Sequence, residues 1–163
     1  MSEFTLDKSK GELRVMGRRQ MAMTMESLCN HLDALVGSKV AEVIIRSLEA
    51  REGREECQAF RKENSGTSVE GIVEFFQKYD ALTGVGITKV NVPKEKNGLV
   101  GIEIENPFVR TTTGSAKSLL FSWWCGALSE LLNRELDIQS VTYDEKRDVL
   151  SCTLITRQGV QLT

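Results

Sequence analysis

At 163 residues, with 40% hydrophobic and 27% charged side chains, the chain is long enough to bury one core and too apolar for a disordered segment. A count of 21 basic against 23 acidic side chains leaves a net charge of −2, which excludes a whole-molecule attraction to nucleic acid or anionic lipid. No apolar run approaches the roughly 20 residues of an integral membrane segment, and the polar opening Met1-Ser2-Glu3-Phe4 is unlike a secretory signal, so a cytoplasmic protein is expected.

Residues 1–10 are polar and read as a loose N-terminal tail. Residues 12–25 alternate in part, with Met21, Met23 and Met25 at period two, and predict one or two short strands bent at Gly17. From Met25 the period becomes helical through Leu28, Leu32, Leu35 and Val36, and Gly37 is placed to end that helix. Ser38 is a candidate cap for a second helix carrying Ala41, Ile44, Ile45 and Leu48 toward Gly53. The polar stretch Arg54 to Glu63 follows as a short helix or helix end. Thr67 or Ser68 then caps a third helix, with Ile72, Val73, Phe76 and Tyr79 on one face and Phe75 widening it.

The second half reads mainly as strand. Two strands, near 85–92 and 99–105, are joined through Asn97-Gly98, the strongest hairpin signal in the chain. Residues Ser115 to Asn133 form the most apolar helix, and around Leu119 to Leu128 its apolar side chains run nearly all the way round, so more than one side must be covered. Strands near 136–143 and 149–156 flank the charged turn Asp144 to Asp148, which reads as a solvated tip. With no repeat or linker, residues 1–163 read as one α+β domain. An antiparallel sheet of about four strands packs against a helical layer.

The search for chemistry removes most enzyme classes. Neither a nucleotide-binding P-loop nor a GxSxG elbow is present, and Gly84-Val85-Gly86 lacks the third glycine of a dinucleotide loop, where Lys89 stands. The four cysteines contain no CxxC pair and have a single histidine to work with, His31, so no metal site is expected and His31 reads as a surface or capping side chain. No carboxylate pair can be singled out as acid and base, and Arg18-Arg19, Lys94 and Lys96 lack the interleaved aromatics of a single-strand binder. No catalytic residue is assigned, and the chain reads as a non-enzyme.

Two features remain. Trp123-Trp124 sits on the apolar helix, as plain core or as the lining of a cavity or subunit interface. Cys57 lies in a polar segment that reads as close to the surface, where Arg54 and Arg61 would lower its pKa and Glu55 and Glu56 would raise it.

Three segments carry a resemblance: Glu56-Cys57-Gln58-Ala59-Phe60-Arg61-Lys62-Glu63, then Gly101-Ile102-Glu103-Ile104-Glu105-Asn106-Pro107-Phe108-Val109, then Trp124-Cys125-Gly126-Ala127-Leu128. In order and spacing they resemble the superfamily that joins the 4-vinyl reductase, or hydrocarbon-binding, domain to core TRAPP trafficking subunits, over roughly residues 25–156. The resemblance implies an α+β fold that dimerises through its helices and encloses an apolar channel. In the trafficking branch a cysteine at a place matching Cys57 carries a fatty acyl thioester. The bacterial and archaeal branch resembles sensors of small hydrophobic ligands, with some members linked to tetrapyrrole synthesis. Many of those end in a cysteine pair, of which Cys152 alone is present here.

The function implied is a non-catalytic module that holds or senses a hydrocarbon-like or acyl-like ligand, needs no cofactor, and forms a homodimer. A TRAPP-like assembly subunit acting through protein partners is the second reading, and a tetrapyrrole-related enzyme or accessory protein the third. At about 0.8 kcal/mol per buried methylene, a chain of about 14 carbons would gain roughly 10 kcal/mol before ordering costs. Ligand-lining candidates are Cys57, Phe60, Ile72, Phe76, Leu120, Trp123 and Leu128.

Overall fold

The computed structural model describes residues 10–93 and 98–157, with side chains from residue 23 onward. Two long helices, α1 (Lys10–Val36) and α2 (Ser38–Glu63), meet at Gly37, and α3 (Val69–Thr83) follows. Strands β1 (Ile87–Asn91) and β2 (Val100–Glu105) come next, then a short 3-10 turn (Ser115–Ser118) leading into α4 (Leu119–Leu132). The chain closes with β3 (Leu136–Asp144) and β4 (Val149–Thr156), and the four strands form one antiparallel sheet in the order β1-β2-β4-β3. This is the expected α+β architecture.

Three sequence expectations are corrected. Residues 12–25 belong to α1 and not to strands. The segment is rich in Glu, Leu, Arg, Gln, Met and Ala, all good helix formers, and their combined preference outweighs the cost of about 1 kcal/mol for one glycine. The second helix does not stop near Gly53 but runs through it to Glu63, absorbing the polar segment around Cys57. Ser38 opens that helix without capping it, because Gly37, at φ +83°, holds the cap position and no side chain bonds the free N–H groups. Of the tail expected at 1–10, residues 1–9 lie outside the described residues, as does Asn97, and Lys10 opens α1.

Gly53 serves packing. A Cβ there would overlap the Trp123 carbonyl on α4, and a Cβ on Gly126 of α4 would overlap the Ala50 carbonyl on α2. Paired glycines therefore let α2 and α4 cross backbone to backbone. On its other side α4 lies over the sheet, which explains its all-round apolar surface: Leu119, Phe121, Trp124, Ala127, Leu128 and Leu131 are all buried. The sheet answers with Val100, Ile102 and Ile104 on β2 opposite Leu154, Cys152 and Leu150 on β4.

The caps and turns follow local chemistry. The Ser68 hydroxyl accepts from Gly71 N at 3.2 Å and starts α3. Gly84 and Asn133 end α3 and α4 in the left-handed conformation. The turn after β3 is exposed, yet Asp148 within it accepts from Arg110 and from the Tyr143 hydroxyl at 2.7 Å, so that end of the hairpin is tied down.

Candidate functional site

α2, α3 and α4 bring part of the predicted ligand set together as an aromatic cluster. The Phe60 ring lies 5.6 Å from Phe76, and Phe76 lies 4.8 Å from Trp123 with the rings edge to face. Two rings outside that set complete it: Phe75 at 4.4 Å from Phe60, and Trp124 at 5.3 Å from Trp123. Phe76 and Trp124 are buried, Phe60 and Trp123 are half-buried, and Phe75 is 44% exposed. The cluster therefore runs from solvent into the core. Cys57, Ile72, Leu120 and Leu128 belong to the same core and are all buried.

Polar groups hold the two indoles. Trp123 Nε1 donates to Glu56 at 3.0 Å, and Trp124 Nε1 donates to the buried Asp80 at 2.9 Å, which also accepts from Thr88 at 2.5 Å. Burial raises the Asp80 pKa, and the two hydrogen bonds oppose that rise without cancelling it.

Cys57 departs from its expected setting. Its residue is 0% exposed, and burial, with Glu130 adding to it and Arg61 opposing, pushes the thiol up to about 11. The nearby guanidinia do not activate it, because each is engaged elsewhere: Arg61 with Glu130 at 3.5 Å and Arg54 with Glu135 through two hydrogen bonds. Burial likewise raises the Cys29, Cys125 and Cys152 thiols, and all four cysteines are free. Among the described residues no three His, Cys, Asp or Glu side chains are grouped to hold a metal ion, and no helix is long and apolar enough to cross a membrane.

A second concavity, absent from the sequence reading, opens between α2, α4 and β3 with a volume of about 530 Å³. Arg46, Arg51, Arg54 and Arg157 line it together with Glu135 and Asp137, and Val43, Cys125, Leu136 and Ile138 supply its apolar wall. None of the predicted ligand residues touches this cleft. Its ion pairs join positions 81 and 91 residues apart, Arg54 with Glu135 and Arg46 with Asp137. The one signal in the sequence was the helical spacing of Arg46, Ala50 and Arg54, which aligns both guanidinia on one face of α2.

No family model matches the sequence, and no curated protein does. Solved structures do match. The phenol-responsive sensory domain of the transcription activator PoxR, crystallised with phenol, superposes with a TM-score of 0.62 at 12% identity, covering 85% of this chain and 74% of that one. Trafficking protein particle complex subunit 3 from Naegleria fowleri, covalently bound to palmitic acid, superposes with a TM-score of 0.59 at 13% identity, covering 88% of this chain and 96% of that one. At such low identity these likenesses establish the fold: four helices against a four-stranded antiparallel sheet, shared with a sensory domain and a trafficking subunit.

Proposed function

We propose that this chain is a non-catalytic binding module for a small hydrophobic ligand, of the hydrocarbon-binding, 4-vinyl reductase-like kind, seated at the aromatic cluster between α2, α3 and α4. One observation carries this reading. Five aromatic rings, linked by contacts of 4.4 to 6.5 Å, descend from an exposed Phe75 to a buried Trp124 beside the core that holds Cys57. Aromatic rings that reach solvent at one end, at Phe75, offer an apolar ligand area to bury and edge-to-face partners, with no need for a charged group. The shared fold supports it, since the two solved proteins above hold phenol and palmitic acid. Buried, reduced thiols suit a cytoplasmic setting.

The covalent version, with an acyl chain on Cys57, needs a route to the thiolate. A thiol pushed up to about 11 is almost wholly protonated at neutral pH, so this site favours reversible over covalent binding unless the acyl donor is strongly activated. The test is the mass of the purified protein under native and denaturing conditions, with a phenol titration read by the fluorescence of Trp123 and Trp124 together. Excess mass in the native spectrum alone, or saturable quenching, supports the reversible module. Excess mass that survives denaturation and is lost with hydroxylamine supports the thioester. Sequence mass throughout and unresponsive indoles would overturn the ligand reading.

A second reading, an assembly subunit of the TRAPP type, rests on a different observation. Leu28 and Leu35 on α1, with Val40, Val43, Ile44 and Leu48 on α2, are all exposed and fall at helical spacing. Such stripes suit a helix-mediated homodimer.

A further inference from the structure

We propose that the cleft between α2, α4 and β3 is a separate binding site for a small amphipathic carboxylate, its apolar body against Val43, Leu136 and Ile138 and its head group against Arg51 and Arg157. This goes beyond the aromatic site, whose residues it does not share.

The charge balance of the cleft points to an anion. Four guanidinia line it against two carboxylates, Glu135 and Asp137. Two of the four are already committed. Arg54 is held by both Glu135 oxygens, and Arg46 donates to Asp137 at 3.3 Å, to Ser118 at 3.2 Å and to Glu42, which reaches it from outside the cleft, at 2.5 Å. The other two are available. Arg51 faces Glu55 at 3.7 Å between side chains 70% and 69% exposed, a geometry worth little in water. Arg157 bonds through its backbone N–H to Glu135 O at 2.8 Å, and its guanidinium acts on the Glu135 carboxylate only through space, Arg54 holding both oxygens.

The body of the ligand follows from the wall. Leu136 and Ile138 are buried on β3, and Val43 is an exposed apolar residue at the edge. A volume of about 530 Å³ is in the range that takes a drug-sized molecule. A planar carboxylate matches the guanidinium fork through two parallel hydrogen bonds, which an alcohol cannot do. The crossing of α2 and α4 closes one end: Ala50 lines the cleft, and its carbonyl abuts Gly126 with no room for a side chain.

Calorimetric titration of the full chain with decanoate, and with decanol as the uncharged match, tests this. Decanoate is expected to bind at least tenfold more tightly than decanol. The double variant R51A/R157A, at two exposed positions, should lose about tenfold in decanoate affinity and leave decanol unchanged. Asp137→Asn, which keeps the oxygen that accepts from Ile138 N and removes one of the two negative charges lining the cleft, should bind decanoate about threefold more tightly. Equal affinity for acid and alcohol, no decanoate binding to the natural chain, or variants that move neither value overturns the proposal. A ligand confined to the aromatic cluster gives that last result.

Discussion

Asp80 joins α3, β1 and α4 through a single carboxylate, receiving Thr88 from the sheet and Trp124 from the central helix. Burial raises its pKa above the ordinary value near 3.8, so the folded state holds its proton to higher pH than the unfolded chain does. Stability from this group is therefore full at low pH and declines as pH rises from about that value through the raised folded one. Asp80→Asn keeps an acceptor for Trp124 and removes the charge. Urea unfolding across pH 3 to 8 should show a flatter stability profile for the variant in that window. A slope unchanged from the natural chain would remove Asp80 as its source. Cys57 sets a second residue-scale expectation. Placing a hydroxyl at this fully buried position without a partner costs about 1–3 kcal/mol, so Cys57→Ser should lower the urea midpoint, and Cys57→Ala should cost less if the loss comes from polarity rather than volume.

Among the elements, α2 and α4 depend on one another most closely. Gly53→Ala places a methyl group against the Trp123 carbonyl, and the obstacle is backbone that cannot rotate away. A loss of about 3 kcal/mol is expected, read as a lower urea midpoint at unchanged slope. A loss under about 1 kcal/mol would mean that the helices separate easily. This contact also marks the limit of what the chain shows before folding. The strands near 87–91, 100–105, 136–144 and 149–156, and the helix from Val69, were legible because period and turn chemistry agree at each. Gly53 was misread because a glycine that ends a helix and one that admits a neighbouring helix look alike in one dimension. The strand reading of 12–25 failed because three methionines at period two outweighed residue types that favour a helix. Cys57 seemed exposed because its sequence neighbours are charged, yet on α2 those neighbours point elsewhere while Cys57 faces the core. Of the arginine cleft only the helical spacing of Arg46 and Arg54 was legible, since its ion pairs form only once β3 reaches α2.

At the scale of the whole molecule, the open question of surface is the apolar stripe along α1 and α2. Leu35 is 81% exposed and Leu48 52%, and neither contributes to the core described above. If a second copy covers them, the chain runs as a dimer in sedimentation equilibrium, and Leu35→Glu with Leu48→Glu yields a folded monomer with an unaltered circular-dichroism spectrum. A natural chain that is monomeric at tens of micromolar removes the homodimer and leaves the stripe to a different partner.

The four cysteines lie beneath the surface with their thiols raised by burial. The natural chain is thus a ready background for site-directed probes: a cysteine introduced at an exposed position such as Leu82 would be the one thiol in reach of a maleimide, with no native position to remove first. A fluorophore or spin label placed there would report movement of α3, the helix that carries Phe75 and Phe76, as ligand is added.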